Sequence, residues 1–318
     1  MPPAPTAARA RSRIGFLGPA GTFSEQALLS QKDLAEMELV AFTSIGDVLA
    51  ATESGDVDLG FVPIENSIEG TVNAALDALA LESDLVIQRE VVINVQLNLL
   101  ALPGVGLDEI TTVAAFPVAA AQVRAWLKTN LPDAESVAAN SNADAAVMVQ
   151  AGGERGLAAV STALAAELYG LDIVASDIED HPENQTRFVV VATTGIPAPT
   201  GHDKSTIVCF QNADQPGSLL SILQEFAARA VNLTKLESRP TKKGLGHYCF
   251  IIDLDGHIAD ELVADALRDL KSKLADVKFL GSYPAAGEEG HEVRRDAEAS
   301  WKRADDWVAG LRSAIADR

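Results

Sequence analysis

The sequence predicts an α/β protein in which two lobes of alternating strands and helices precede a smaller β-α-β-β-α-β domain. Three observations carry this. Apolar strand-like runs alternate with helical stretches from Ile14 to Val191, the pattern of parallel sheets with crossover helices. The segment "GIPAPTGHDK", Gly195 to Lys204, is rich in Pro and Gly and breaks the periodicity. Strand, helix, strand, strand, helix and strand patterns then follow in that order, a ferredoxin-like arrangement. At 318 residues the chain exceeds one typical core, so two or three domains are expected.

Residues 1–13, "MPPAPTAARARSR", lack an apolar core segment and read as a disordered leader rather than a secretory signal. "RIGFLGPAGTFSEQALL" is a strand, a glycine-rich turn and a helix opening near Thr22 to Glu25. "SIGDVLAATESG" is a second helix, and "DLGFVPIENSIEGTVNAALDALA" repeats the strand, polar turn and helix. "VVINVQLNLLAL" alternates, with Ile93, Val95, Leu97 and Leu99 on one face, and reads as one half-buried strand. It opens a second lobe over about 93–177. The first lobe takes about 14–92 and regains the chain at 178–195, where "FVVV", Phe188 to Val191, is a short buried strand. Crossings between two lobes leave a cleft, a usual place for a small-molecule site. A linker at 196–203 leads to the smaller domain at 204–285. In the charged tail, 286–318, Trp301, Ala304, Val308, Leu311 and Ile315 form one apolar helix stripe, suited to docking on the chain itself or on a sister subunit.

Charge narrows the function classes. The net charge is −20, and from Ile14 to Gly201 only six bases (Lys32, Arg89, Arg124, Lys128, Arg155 and Arg187) face 26 acids. Such a field repels nucleic acid and anionic membranes. No run of about 18 apolar residues exists for a membrane span. Cys209 and Cys249 belong to no CxxC, and the five histidines are scattered, so neither a disulfide nor a metal site is expected. A cytoplasmic protein is the natural reading.

Four polar turns carry the candidate chemistry. In "GPAGTFSEQ", Thr22 or Ser24 can cap a helix or meet a carboxylate at the helix start. The turn is not GxGxxG, and no GxxxxGK[ST] exists. In "PIENSIEG", Asn66 can cap the next helix or present an amide to the cleft, with Ser67 beside it. Gln122 is the one amide on an apolar helix start and is either exposed or functional. In "NQTRF", a hydroxyl and a guanidinium adjoin at the entrance of a buried strand. Thr186 and Arg187 reach one cleft only if the turn ends between them, because neighbours in a strand face opposite ways. A structural ion pair for Arg187 is the alternative.

Taken together and in this order, Gly18 to Ser24, Pro63 to Ser67, Asn184 to Phe188, Gly217-Ser218-Leu219 and Glu237-Ser238-Arg239-Pro240 resemble the prephenate dehydratase family over Ile14 to Pro284. The resemblance implies a bilobal, periplasmic-binding-protein-like catalytic domain followed by an ACT regulatory domain. It implies decarboxylating dehydration of prephenate to phenylpyruvate with no cofactor and no metal, in phenylalanine biosynthesis. Thr186 matches the catalytic threonine, and Asn66 and Gln122 match polar catalytic positions. Arg187, Thr22 and Ser67 fall to substrate binding. A bidentate guanidinium suits a carboxylate. Gly217, Ser218, Leu219, Asn232, Glu237, Ser238, Arg239 and Pro240 fall to an effector site for L-phenylalanine in a dimer or tetramer. Glu237 and Arg239 read equally as a plain ion pair. One departure is Ala115-Phe116-Pro117 where the family often carries Ser-His-Pro. Arogenate dehydration, an amino-acid sensor without chemistry and a transcriptional effector domain are the competing readings, the last disfavoured by the negative charge.

Overall fold

Short apolar runs become strands and the polar turns between them start helices. In the first lobe these strands are β1 (Arg13–Leu17), β2 (Glu38–Phe42), β3 (Leu59–Asn66), the two-residue β4 (Gly70–Thr71) and β5 (Val86–Asn94). The second lobe holds β6 (Asn98–Ala101), β7 (Thr112–Ala115), β8 (Glu135–Ala138), β9 (Leu157–Ser161) and β10 (Asp172–Ala175). The chain then returns as β11 (Gln185–Ala192). The computed structural model describes residues 12–211, 215–242, 244, 247–286 and 292–313, without the side chains of 292–301. The leader up to residue 11, and Ile315 of the tail stripe, lie outside the described residues.

The chain is α/β throughout, as its pattern predicts. Contacts divide it into two units, one of Met1–Leu76 with Val91–Val191, the other of Asp77–Glu90 with Ala192–Arg318. In the first unit, β1 pairs in parallel with β2 and β3, while β11 runs antiparallel to β3, giving the order β2-β1-β3-β11-β5. The second sheet has the order β10-β6-β9-β7-β8, with β7 parallel to both β8 and β9. Each sheet is closed by its own core: Ile14, Phe61 and Phe188 in the first, Leu97, Val113 and Val160 in the second. The rings of Phe61 and Phe188 stack with centroids 5.0 Å apart, worth about 0.5–1.5 kcal/mol beyond area burial. That contact ties β11 to β3, and the site rests on this strand pair.

One expectation is corrected. "VVINVQLNLLAL" forms the end of β5 and then β6, two strands in different sheets, rather than a single strand. The reason lies in the hydrogen bonds that the stretch between them makes. The Val95 N–H donates to the Asn184 carbonyl at 2.8 Å, and the Leu97 N–H donates to Glu179 Oε2 at 2.8 Å. The outgoing crossing leaves its ladder to pair with the returning one, while Val95 and Leu97 stay buried.

The second unit contains β12 (Asp203–Phe210), helix Ser218–Ala227, β13 (Leu233–Pro240), β14 (Tyr248–Asp255), helix Glu261–Lys273 and β15 (Asp276–Pro284). Its sheet order is β13-β14-β12-β15, all antiparallel. This is the expected ferredoxin-like topology. Ile222, Phe226, Val263 and Leu270 of the two helices pack on Ile207, Cys209, Ile252 and Leu254 of one sheet face. The segment Asp77–Glu90 joins the same unit: Lys278 donates to the carbonyls of Leu79, Ala80 and Ser83, and Lys204 meets Glu90 at 3.0 Å. In the tail, helix Glu292–Ser313 leaves Trp307 and Leu311 exposed.

Cys209 registers with Phe250 and Cys249 with Phe210, so the two thiols sit on opposite sheet faces. Both are fully buried. Burial pushes the Cys209 thiol up to about 12 and raises that of Cys249. Neither is a nucleophile in this state. A thiol titration of the native protein at pH 8 should therefore find no reactive cysteine within minutes and two after unfolding. Gly281 has φ +141, and a side chain there would overlap the Ile87 carbonyl. Gly281→Ala should cost about 1–3 kcal/mol or more of stability, read as a lower denaturation midpoint.

Candidate active site

Parallel strands deliver their carboxyl ends, and the helices that follow, to one edge of each lobe. In the first unit these edges enclose a cleft of about 690 Å³ lined by Gly18, Thr22, Ser24 and Thr43 from one lobe and by Phe116 and Asn140–Asn142 from the other, with Thr186 and Phe188 in its wall. The glycine-rich turn is built into both lobes. Its Gly21 carbonyl accepts from the Thr162 hydroxyl at 2.7 Å, and its Ala20 carbonyl from the Tyr169 hydroxyl at 2.8 Å. Burial first, then the Glu25 and Asp144 charges, raises the Tyr169 phenol above its ordinary range, which keeps that hydroxyl protonated. Gly21 needs φ +87, and a Cβ there would meet Ala165 at 3.2 Å. Thr22 caps helix Phe23–Leu29, with its hydroxyl donating to the Leu17 carbonyl at 3.2 Å.

The polar centre stands at the paired ends of β3 and β11. Thr186 registers with Asn66, and Arg187 with Glu65. Asn66 Oδ1 accepts from the N–H groups of Ile68 and Glu69, both at 2.9 Å. Backbone N–H groups only donate, so the atom facing them is oxygen and the amide has one orientation. Its Nδ2 then donates to Thr186 Oγ1 at 2.9 Å and to Asn184 Oδ1 at 2.8 Å. Asn184 Nδ2 donates onward to Gln122 Oε1 at 3.1 Å, and Gln122 Nε2 to Glu69 Oε1 at 3.4 Å. Ser67 Oγ accepts from the Gln185 N–H at 2.9 Å and lies 3.4 Å from Asn184 Oδ1. Gln122 is 7% exposed and Asn184 is fully buried, so water does not compete for the bond between them.

Among the candidates, Thr22 and Thr186 line the cleft, while Asn66, Ser67 and Gln122 are joined behind Thr186 through Asn184. Arg187 goes elsewhere. β11 begins at Gln185, before Thr186, so the turn does not end between Thr186 and Arg187. Thr186 and Phe188 share the cleft face, and Arg187, on the alternate face, meets Glu65 Oε2 at 3.3 Å. Ala115 is buried at the end of β7, and Phe116 takes the neighbouring place in the cleft wall. The residue that sequence reasoning left out is Asn184. Its signal was its position two before Thr186, which puts both on one face of an extended chain.

In the second unit, Gly217 (φ +87) is the N-cap of helix Ser218–Ala227, Ser218 Oγ donates to the Gln215 carbonyl at 2.8 Å, and Leu219 packs into the core. Asn232 Nδ2 donates to Asp255 Oδ2 at 2.8 Å. On the edge strand β13, Ser238 and Pro240 are exposed, while Glu237 and Arg239 are partly buried. Arg239 donates from Nε and NH2 to Asp77 Oδ1 at 2.9 and 2.7 Å and lies 3.4 Å from Glu237. The four candidates on β13 therefore divide between its two faces, and the other four lie outside that strand.

A family model described as prephenate dehydratase matches residues 14–195, and one described as ACT domain matches residues 205–272. A prephenate dehydratase of Mycolicibacterium vanbaalenii is 45% identical over 313 residues, which span 94% of this chain and 98% of that one. Among solved structures, a prephenate dehydratase from Arthrobacter aurescens in complex with L-Phe is 39% identical with a TM-score of 0.88, over 95% of this chain and 100% of that one. A structure described as a novel type of quorum-quenching acylase is 30% identical with a TM-score of 0.77, over 86% and 98%.

Proposed function

Because this chain belongs to the prephenate dehydratase family, we propose that its cleft converts prephenate to phenylpyruvate, carbon dioxide and water. One observation supports this above the others: the Asn66 amide, fixed by two backbone N–H groups, donates to Thr186 Oγ1 and so occupies the hydroxyl as an acceptor. Among the described residues no acceptor takes the Thr186 hydrogen, and Thr186 lines the cleft. The hydroxyl is thereby aimed at whatever the cleft holds.

The chemistry asks for little more. The ring carboxylate leaves as carbon dioxide, the electron pair of its C–C bond enters the ring, and the opposite C–O bond breaks. The departing oxygen gains charge and leaves as water once protonated. A threonine hydroxyl is a poor acid, so Thr186 serves as an oriented donor to that oxygen, with the proton completing water from solvent. Because the product ring is aromatic, alignment and one well-placed donor suffice. Asn66 and Gln122 act by holding this arrangement. Thr22, together with Asn140–Asn142 at the Ser141-capped start of helix Asn142–Gly152, offers polar groups and a positive dipole end to the substrate carboxylates. Arg187 and Ser67 hold β3 against β11 from outside the cleft wall.

The C-terminal domain is the phenylalanine sensor in this reading, supported by the ACT match and by the relative in complex with L-Phe. Gly217 leaves open space at a helix start, and the exposed row of Ser238 and Pro240 lies on an edge strand. The enzyme is assigned to the cytoplasm, where reduced thiols persist, as a dimer or tetramer.

Purified protein given prephenate, with and without phenylalanine, should form phenylpyruvate and change its rate when the effector is added. Arogenate, supplied separately, should turn over more slowly. Thr186→Ala should lower kcat by about 10²–10³ with an unchanged unfolding midpoint. Wild-type turnover in that variant would remove the role given to Thr186. Cleavage of an acylated amine with no phenylpyruvate formed would replace the whole reading with the activity named for the acylase relative.

A further inference from the structure

We infer that Asn184 is a positioning residue for this reaction, the one amide that joins Asn66, whose direction Ile68 and Glu69 fix, to Gln122. It rests on the functional reading above. Asn184 is fully buried, and its side-chain hydrogen bonds go to other elements: Asn66 at the end of β3, Ser67 just beyond it, and Gln122 on helix Pro117–Gln122. Its backbone is held independently, with its carbonyl accepting from Val95 N–H and its N–H donating to the His181 carbonyl. A change of side chain therefore leaves those two bonds in place.

The direction of the row follows from valence. Asn66 has two hydrogens on Nδ2. One goes to Asn184 Oδ1 at 2.8 Å and the other to Thr186 Oγ1 at 2.9 Å. The acceptor at position 184 holds the Asn66 amide in the plane that reaches Thr186. On its other side, Asn184 needs a donor, because Gln122 presents Oε1 to it at 3.1 Å. That bond in turn keeps Gln122 Nε2 outward toward Glu69. Only a group that accepts on one side and donates on the other satisfies both neighbours. Asparagine does so, and so does a protonated aspartic acid, whereas a carboxylate accepts on both sides and turns Gln122 over.

This gives Asn184→Asp a pH signature that a merely structural residue would lack. The new carboxyl would be buried, and an acceptor would face one of its oxygens, so its pKa should rise. Few ionisable groups stand nearby. Glu69 lies beyond Gln122, the Glu65 and Arg187 pair is at the next register position of β3 and β11, and Asp180 accepts from the N–H groups of Ala125 and Trp126. His181 and Glu183 pair with each other in exposed positions.

The test measures kcat and KM for wild type, Asn184→Asp and Asn184→Ala from about pH 5.5 to 8.5. The expected result is a low kcat for Asn184→Asp at high pH, with its ratio to wild type recovering about tenfold per unit as pH falls toward the new pKa. Asn184→Ala should lose kcat by tenfold or more at every pH, with KM within about threefold. A pH-independent ratio for Asn184→Asp, or near-normal kcat in Asn184→Ala, would overturn the inference. If neither variant folds, hydrogen exchange of the asparagine side-chain amides in the wild type decides. Slow exchange at Asn184 supports the inference, and exchange as fast as a free amide defeats it. Wild type that fails to turn over prephenate would sink the functional reading itself, a distinct outcome.

Discussion

The N–H groups of Ile68 and Glu69 decide which way the Asn66 side chain faces, and the rest of the site takes its direction from that choice. Both donate to Asn66 Oδ1, so the amide nitrogen must turn toward β11. There it meets Thr186 and Asn184. A hydroxyl left alone can rotate and donate to several neighbours. Accepting from Asn66 removes most of that freedom and leaves the Thr186 hydrogen directed away from the protein row. Buried amides are costly unless satisfied, and this row satisfies each in turn, which makes its polarity hard to reverse.

The fold supplies the stiffness. β3 and β11 run antiparallel side by side, and the stacked rings of Phe61 and Phe188 anchor the pair just below the site. Between Arg187 and Phe188 the register shifts, with Ile64 as the extra residue on β3. A bulge re-aims side chains at the end of a strand. Here it lies directly beneath Asn66 and Thr186. The two chain crossings add to this, because Val95 holds the Asn184 carbonyl where the outgoing and returning segments run together. The cleft residue therefore sits on strands and crossings instead of on a free loop.

Much of this was legible in the residues. Strand and helix alternation gave both lobes, and the order of elements after the Pro/Gly linker gave the last domain, because these depend on periodicity within short windows. "NQTRF" was read as a strand entrance, and β11 begins there. What local pattern could not reveal was the partner of Arg187, since Glu65 lies 122 positions away and meets it only through strand pairing. The split of "VVINVQLNLLAL" was hidden for a related reason: Val95 and Leu97 alternate as in one strand, but their backbone bonds go to residues 82 or more positions later. Asn184 was in plain view in the motif, yet its place in the row is a matter of donors and acceptors, which sequence spacing does not rank.

The central claim is that Asn66 serves catalysis through Thr186 and not beside it. A double-mutant cycle on kcat with prephenate, using Asn66→Asp and Thr186→Val, measures that coupling directly. An aspartate at 66 would still accept from Ile68 and Glu69, but would turn an acceptor toward Thr186 and draw its hydrogen back. The account predicts that both single variants are slow and that the double variant matches Thr186→Val within about twofold. Penalties that multiply in the double variant would show two independent contributions and contradict it.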